Sequence, residues 1–523
     1  MYNREKTSER TGLVMEKRIP LVRYGVRAVL LALVSAAFLA VCALSTTPLL
    51  QYSVGQDAAF FRLVGQGMTQ GLLPYRDFFD MKGPYLFLME YLGQLVFPGR
   101  MGAFLLEWLC LFVTLLFGFK CWDAAFGEKC VPFWLSPLLL LPMGYVLSFT
   151  MTGGNLTEEL SLPFLMPCLY LFLRYLNQSR IPSPENQDHP VWAGFYYGVA
   201  FGVMALIRVT NGALIGAILL TAVCNLAAWK RFRNLFANGG MFLLGILVGA
   251  MPGLIWCYFR GILPEMLSQV FLFGFQYSGE SGLLQSLASM GQVRSCLALL
   301  LLPAAPLIFY RLRDWKLWLF FVSSALTVLA AALMGNGYCH YFVLALPNMV
   351  YAGYLIALGI SRGSHWRRGK QVLCFLLSVF LSLGMLAFPW KLFRVRAFEE
   401  IRYGMYCARY GVEPREEYDA VQSVLAAVPQ EEQKDLYVYG LDSCSAWYLQ
   451  AGLLPPMKYC DWQPHYIQLV PQIGREIESY LRSGDAKWVV TKEMVEPEAI
   501  RSCLQENYKA AAQTEKMVLW EKN

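Results

Sequence analysis

The chain has 523 residues, of which 56% are hydrophobic and only 15% are charged, and its mean hydropathy is +0.41. This composition lies outside the range of soluble globular proteins and predicts a membrane protein. The net charge of +7 requires no nucleic-acid partner, because lysine and arginine concentrate on the cytoplasmic side of membrane proteins.

Apolar segments of spanning length recur over the first three quarters of the chain, each with roughly the 20 residues that cross a hydrocarbon core of about 30 Å. They cover residues 24–45, 102–119, 131–150, 158–176, 191–207, 212–229, 236–258, 294–310, 317–334, 340–360 and 371–389. Segment 84–98 is shorter and carries Glu90. We predict an all-α polytopic membrane protein with about 11 to 13 transmembrane helices.

Basic residues indicate the orientation. The N-terminal stretch 1–23 is basic, as are the loops at 230–233, 311–316 and 362–370, and the positive-inside rule puts all four in the cytoplasm. The first loop, 46–83, is then outside. This assignment conflicts with a crossing at 84–98, so that segment is predicted to be re-entrant or interfacial; a further helix elsewhere would also resolve the conflict.

The texture of the chain changes after residue 390. Residues 24–390 form the predicted membrane domain, and residues 391–523 are more polar, with strand-like stretches ("KDLYVYG", "AKWVVTKE") and helix-like ones ("YDAVQSVLAAV", "REIESYLRSG"). We predict a small extracytoplasmic α/β domain. Its cysteines are Cys407, Cys444, Cys460 and Cys503, and the sequence does not decide whether they are free or form disulfides.

Charged and polar side chains collect on the predicted outer face. They are Asp57, Asp77, Asp80, Lys82, Glu158, Glu159, Arg208, Asn211, His340 and Tyr341. Ionisable groups at the membrane boundary are costly and are candidates for function. Because lysines and arginines elsewhere define the topology, the common location of these groups predicts one outward-facing site.

Each of these groups also has a structural explanation. Asp57 could cap a helix, and the charges within residues 77–82 could form an interfacial salt bridge. The two glutamates suit the first turn of a helix. Arg208 could extend to the interface, and His340 could be a packed polar side chain.

The functional interpretation combines a base with cations. A carboxylate such as Asp57 can take the proton of a hydroxyl nucleophile, and Lys82 with Arg208 can stabilise a departing phosphate. Lys82 directly precedes Gly83-Pro84, a helix start where an acid is usual, so a cation there suggests a bound anion. This set of residues suits transfer from a lipid-linked phosphate.

Several short motifs follow one another along the chain. After a first outer loop with an aspartate come "G-x-x-P-Y-R-D-F-F-D-x-K-G-P", "TEE", "R-x-x-N" and "Y-x-H-Y-F-x-x-x-x-P". This order resembles the GT-C superfamily of membrane glycosyltransferases. The pattern is most similar to the bacterial branch related to protein O-mannosyltransferases and the lipid A aminoarabinose transferase. The resemblance covers about residues 20–390, and "PYRDFFDMKGP" is its specific part.

This resemblance implies a polyprenyl-phosphate sugar donor, such as an undecaprenyl-phosphate sugar, and an inverting displacement at the anomeric carbon. The proposed base of the family maps onto Asp57, and its acid-Lys-Pro segment onto Asp80, Lys82 and Pro84, with Met81 intervening. The second acidic site falls at Glu158 or its neighbour Glu159. Arg208 and His340 would hold the lipid phosphate or the acceptor. A divalent metal ion is a further candidate component, with Asp80 and Glu158 as its candidate ligands.

The sequence thus predicts a multi-pass enzyme of the plasma membrane that glycosylates a hydroxyl of a cell-envelope glycan, lipid or protein. Two alternatives remain. A transporter or flippase of lipid-linked sugars usually has paired repeats and charges at mid-membrane. A non-catalytic scaffold for envelope assembly would tolerate replacement of the outer acids one at a time.

Overall fold

The computed structural model describes residues 25–50, 55–126, 143–144, 146–147, 150, 153–179, 187–279, 314–334, 338–351 and 416–523. The predicted spans at 294–310 and 371–389, and most of the one at 131–150, lie outside these residues. So do Cys407 and the predicted domain boundary at residue 390. The two described regions are called the membrane part (residues 25–351) and the C-terminal domain (residues 416–523).

Helices make up the membrane part. In chain order they are α1 (Gly25–Cys42), α2 (Gln56–Thr69), α3 (Pro84–Val96), α4 (Arg100–Phe126), α5 (Thr157–Gln178), α6 (Val191–Ala205), α7 (Ala213–Ala228), α8 (Phe232–Phe259), α9 (Leu263–Leu267), α10 (Gly274–Gly279) and α11 (Trp315–Leu333). Among the described residues, six helices are long and apolar enough to cross a membrane, namely α1, α4, α5, α7 with its preceding turn, α8 and α11. The chain is a multi-pass membrane protein, as its composition predicts.

Two predicted spans differ from the helices that form. The span predicted at 191–207 is the shorter helix α6, because the chain turns at Leu206 into a brief 3-10 segment, Val209–Gly212. The span predicted at 340–360 begins with a 3-10 segment, Cys339–Asn348, that contains Pro347. Proline lacks the N–H that a regular α-helix needs, which hydropathy alone does not register.

The chain between α1 and α3 contains a further helix, α2, in the segment predicted as a loop at 46–83. Helix α2 packs its phenylalanines, Phe60 and Phe61, edge-to-face against Phe87 of α3. Helix α3 starts at Pro84, where the missing N–H is harmless, and it is too short to be among the spanning helices of the described residues. The prediction of a non-spanning segment at 84–98 agrees with this length.

Glycines allow α6 and α8 to pack backbone to backbone. A Cβ atom at Gly198 would lie 2.1 Å from the carbonyl oxygen of Phe242, and one at Gly245 would lie 2.2 Å from that of Phe195. No larger residue fits at either position. Small residues bring membrane helices together in this way, where hydrophobic burial supplies little driving force.

The C-terminal domain is a four-stranded sheet with helices. Its strands are β1 (Leu436–Tyr439), β2 (Trp488–Lys492), β3 (Tyr508–Gln513) and β4 (Met517–Lys522), and its helices are α12 (Glu416–Leu425), α13 (Cys444–Ala451), α14 (Gln463–Leu469), α15 (Pro471–Ser483) and α16 (Glu498–Asn507). The spatial order is β1-β2-β4-β3, with β1 and β2 parallel and the other pairs antiparallel. The predicted α/β domain is thereby confirmed.

Periodic burial explains the clearest of these helices. In α15, Ile473, Ile477 and Leu481 recur every four residues and are buried, while the helix ends at Gly484 with a positive φ of 82°. Three cysteines whose pairing the sequence left open, Cys444, Cys460 and Cys503, are buried, and Cys460 and Cys503 are free thiols.

Asp461 gives the C-terminal domain a pH-dependent stability. The carboxylate is buried and accepts hydrogen bonds from Ser445 Oγ (2.7 Å) and from the N–H of Trp462 (3.2 Å). Burial raises the pKa of Asp461 to about 7, although both hydrogen bonds lower it. The pKa of Asp461 in the folded protein therefore exceeds the unfolded value of 3.8. Its contribution to the stability of the fold is fully present at low pH and is lost as the pH rises toward 7.

We expect Asp461→Asn to remove this dependence. In the variant the amide oxygen can accept from the N–H of Trp462, and the amide nitrogen can donate to Ser445 Oγ, but the side chain cannot ionise. At pH 7.5 it should therefore be more stable than wild type by about 2 to 4 kcal/mol. Thermal unfolding measured from pH 5 to pH 7.5 checks this: the wild-type Tm should fall with rising pH, and the variant's should not. The exposed Asp485→Asn is the matched control. A wild-type Tm that is constant over this range would contradict the assignment.

Candidate active site

A cavity of about 370 Å³ lies where the membrane part meets the C-terminal domain. Five of the residues predicted from the sequence line it together, namely Asp57, Lys82, Arg208, His340 and Tyr341. They come from α2, the loop before α3, the turn after α6 and the 3-10 segment at 339–348. The structure therefore brings residues from these separate motifs to one cavity.

Lys82 stands between two aspartates. Its Nζ lies 3.3 Å from Asp80 Oδ1 and 3.7 Å from Asp57 Oδ1. Asp80 is buried, with 2% of its surface exposed, whereas the side chain of Asp57 is 31% exposed because it borders the cavity. The two carboxylates thus differ in what they can contact. Asp80 neutralises Lys82 from the buried side, and Asp57 is open to a ligand in the cavity.

Backbone pairing brings Lys82 close to the turn that carries Arg208. The N–H of Gly83 donates to the carbonyl of Ile207 (2.9 Å), and that of Tyr85 donates to the carbonyl of Leu206 (3.0 Å). A Cβ at Gly83 would lie 2.2 Å from the Leu206 oxygen, so only glycine permits this approach. The "KGP" motif therefore fixes one cation beside the segment that holds the other.

Arg208 is oriented by two neighbours. Its Nη1 lies 3.3 Å from Glu158 Oε1, and its Nη2 lies 3.4 Å from the hydroxyl of Tyr341. The guanidinium also stands over the Tyr341 ring at 4.8 Å, a cation–π geometry. Glu158 lies in the first turn of α5, as the sequence predicted, and its carboxylate pairs with Arg208 at the cavity wall.

Charge states follow from this arrangement. Burial raises the pKa of Asp57, but Lys82, His340 and Arg208 together lower it by more, so Asp57 is ionised at neutral pH. Burial lowers the pKa of Lys82, but Asp57 and Asp80 raise it by more, so the ammonium keeps its proton. Burial raises the pKa of Asp80, with a smaller opposing effect of Lys82.

Gln269 fixes the backbone of the "PYRDFFD" turn. Its amide Nε2 donates to the carbonyl of Tyr75 (2.7 Å), and its Oε1 accepts from the N–H of Asp80 (3.1 Å). The residue lies in a π-helical segment, Ser268–Phe273, that joins α9 to α10. π-helical turns occur often at functional sites. Tyr75 itself has a positive φ of 69° and donates its hydroxyl to the carbonyl of Lys82 (2.8 Å).

Gln269→Leu should loosen this turn. It leaves two buried backbone groups without partners, and we expect a loss of about 1 to 3 kcal/mol in the free energy of unfolding. Because the turn carries Asp80 and Lys82, affinity for an anionic ligand should fall as well. Thermal unfolding and ligand titration in nanodiscs measure both effects. The same change at the exposed Gln468 is the control; equal behaviour of the two variants would contradict a positioning role for Gln269.

Several predicted site residues do not line the cavity. Asp77 closes a turn, accepting from the N–H of Leu73 at 2.7 Å. Asn211 donates to the carbonyl of Thr157 (3.1 Å) and to Ser161 Oγ (2.8 Å), so it joins helices. Glu159 is buried beside a separate, very small cavity that also contacts Glu107.

Among the residues that the structure describes, the two candidate metal ligands are already engaged by cations. Within the described parts of the chain, no group of three or more histidine, cysteine, aspartate or glutamate side chains could hold a metal ion. Of the two candidate ligands, Glu158 pairs with Arg208, and Asp80 Oδ1 with Lys82; among the described atoms, Asp80 Oδ2 has no hydrogen-bond partner. A single oxygen falls short of the several ligands that divalent cations require.

Four aromatic residues that were not among the predicted site residues also line the cavity. They are Tyr277, Tyr338, Trp462 and Tyr466. Two of them belong to the C-terminal domain, which reaches the cavity through the turn before α14. An isolated "CDWQPHY" in a soluble domain gives no indication of a contact with membrane helices so far away in sequence.

Comparison with known proteins relates the chain to solved structures. No protein-family model matches it, and neither does the sequence of any curated protein. The structure of ArnT from Cupriavidus metallidurans bound to undecaprenyl phosphate matches with a TM-score of 0.53 and 15% identity, over 95% of this chain and 97% of that one. The apo structure of the same ArnT gives a TM-score of 0.54 and 15% identity, over 96% and 98%.

The match extends over the membrane helices and the C-terminal domain alike, since it covers nearly all of both chains. The fold that the resemblance implies is therefore confirmed. This chain has the fold of ArnT from Cupriavidus metallidurans.

Proposed function

We propose that this protein is a membrane glycosyltransferase that moves a sugar from a polyprenyl-phosphate donor to a hydroxyl group of a cell-envelope acceptor, with inversion at the anomeric carbon. One observation carries the proposal: a single cavity holds an ionised carboxylate, Asp57, together with two cations, Lys82 and Arg208. The ArnT with the same fold binds undecaprenyl phosphate, which supports a donor of that class.

The proposed reaction uses these three groups. The acceptor hydroxyl gives its proton to Asp57 as its oxygen bonds to the anomeric carbon. The bond between that carbon and the phosphate oxygen breaks, and the polyprenyl phosphate leaves with an additional negative charge that Lys82 and Arg208 stabilise. One O–H bond and one C–O bond break while one O–H bond and one C–O bond form, so the step balances without another reactant.

Donor binding would itself make Asp57 a stronger base. In the free protein Lys82 lowers the pKa of Asp57, which keeps the carboxylate ionised but weakly basic. A phosphate that binds Lys82 offsets the effect of its positive charge on Asp57. The phosphate also adds a negative charge nearby, and both effects raise the pKa of Asp57. The base would thus gain strength when the donor is in place.

The proposed orientation puts the cavity on the outer side of the plasma membrane. The basic N-terminal residues 1–23 would be cytoplasmic, and the first outer loop and the C-terminal domain extracytoplasmic. Nucleotide sugars are absent there, which suits a donor carried by a lipid. Positive charge at the reacting centre would come from Lys82 and Arg208, and no step is assigned to a divalent ion.

Turnover by purified protein tests the proposal. Protein in lipid nanodiscs is incubated with radiolabelled undecaprenyl-phosphate sugars and envelope extracts, and released undecaprenyl phosphate is measured. Release that depends on an acceptor supports a transferase. Binding without release, with movement of the lipid across the membrane of proteoliposomes, would instead indicate a transporter. Absence of binding to every donor would favour a scaffold.

A further inference from the structure

The C-terminal domain supplies part of the wall of the cavity that contains Asp57, Lys82 and Arg208. Trp462 precedes the first residue of α14, and Tyr466 follows one turn later, so both side chains lie on the same face. Trp462 is half-buried rather than enclosed in the domain core. The domain is therefore a component of the cavity itself.

Trp462 has an unusual backbone conformation. Its φ of 54° and ψ of 23° lie in the left-handed region, which bulky side chains rarely adopt. Buried Asp461 holds this geometry by accepting from the N–H of Trp462, and the Trp462 carbonyl accepts from the N–H of Tyr466 (3.0 Å). A strained conformation that its surroundings maintain in this way fixes the direction of the side chain and is common at binding sites.

Tyr466 connects this turn to the "PYRDFFD" motif. Its ring contacts Phe79 edge-to-face with 5.4 Å between centroids, and Phe273 with 5.5 Å. The N–H of Phe79 also donates to the carbonyl of Lys458 (3.0 Å). Lys82 follows Phe79 by three residues, so these contacts hold the indole of Trp462 at a defined place relative to Lys82.

The other side of the cavity is aromatic as well. His465 lies between Trp462, at 5.8 Å, and Tyr277 of α10, at 5.6 Å. Tyr338 stacks on His340 with 5.5 Å between centroids and an angle of 13°. The cations of the cavity thus occur together with aromatic faces from both parts of the protein.

The chemistry of these faces selects a ligand. If the phosphate of a lipid-linked sugar binds Lys82 and Arg208, the group attached to that phosphate is the sugar, which must occupy the same cavity. The C–H hydrogens on one face of a sugar ring carry partial positive charge, and they complement the negative face of an aromatic ring. We propose that Trp462 stacks on the sugar being transferred and contributes to its selection, an inference that rests on the proposed function.

Binding of four lipids to wild type and two variants tests this role. Wild type, Trp462→Phe and Trp462→Ala in nanodiscs are titrated with undecaprenyl phosphate and with undecaprenyl-phosphate glucose, mannose and arabinose. We expect Trp462→Ala to bind the preferred glycosylated lipid about tenfold more weakly and undecaprenyl phosphate within about twofold of wild type. Trp462→Phe, which keeps an aromatic face, should lose about threefold at most.

The outcomes separate this inference from the proposed function. Equal weakening toward both lipids, or none toward the glycosylated one, would overturn the role of Trp462 while leaving the transferase proposal intact. A wild-type protein that binds neither undecaprenyl phosphate nor its glycosides would contradict the proposed function, and the inference with it. Unchanged binding of undecaprenyl phosphate shows that Trp462→Ala is folded.

Discussion

Asp57→Asn should lower kcat by about 10²- to 10⁴-fold, the usual contribution of a general base. Asparagine has nearly the shape of aspartate and can still accept a hydrogen bond from Lys82, but it cannot take a proton. Donor binding should persist or improve, because a negative charge next to the phosphate is removed. Release of radiolabelled undecaprenyl phosphate gives kcat, and titration with the same lipid gives its Kd.

The matched control is Asp77→Asn. Asp77 belongs to the same loop and was predicted as a site residue, yet its carboxylate accepts from the N–H of Leu73 and does not line the cavity. This variant should keep kcat close to wild type. If Asp57→Asn turned over within about tenfold of wild type, Asp57 could not be the base, since a general base contributes more than that.

Lys82→Met should have the second large effect, and it should act in two ways. Loss of a charge-assisted hydrogen bond to phosphate costs about 1.5 to 3 kcal/mol, which corresponds to a Kd for undecaprenyl phosphate roughly 10- to 100-fold higher. The change also leaves buried Asp80 without its cation, and such an uncompensated charge destabilises a fold by about 3 to 5 kcal/mol.

The double variant Lys82→Met with Asp80→Asn separates these effects. It removes the uncompensated charge, so the Tm should return toward the wild-type value, while affinity for undecaprenyl phosphate should stay low. Thermal unfolding and lipid titration on the same samples measure both. Recovery of affinity together with Tm would mean that Lys82 serves only to neutralise Asp80, contrary to the proposed role.

The sequence predicted much of the site because charges in a membrane protein are few. Lys82 and Arg208 stood out against apolar surroundings, and both line the cavity. The position of Asp77 in the sequence did not show where its side chain points. Only the conformation of the turn decides which carboxylates of that loop face the cavity. Likewise, Glu158 and Glu159 are neighbours in sequence, but the helical rotation between them directs them differently. Glu158 reaches Arg208, whereas Glu159 lies buried between helices near Glu107.

Other features depend on tertiary contacts that no local pattern encodes. Strand β3, "YKAAAQ", has low β propensity and forms because it pairs with β4. Gln269 looks like a lone amide in an apolar run, and only a π-helical turn directs it to Tyr75 and Asp80. Trp462 enters the cavity because a separate domain docks there, which required the complete fold.

The early end of α6 determines where the segment with Arg208 leaves the helix. Its 15 residues extend about 22 Å, less than the hydrocarbon thickness of about 30 Å, whereas its partner α8 has 28 residues. The chain that follows α6 turns away at Leu206, and its carbonyls accept hydrogen bonds from the N–H groups of Gly83 and Tyr85. These bonds satisfy buried backbone groups that no helix satisfies. A longer α6 would leave no place for this pairing, so the short helix is what allows Lys82 and Arg208, from distant parts of the sequence, to line one cavity.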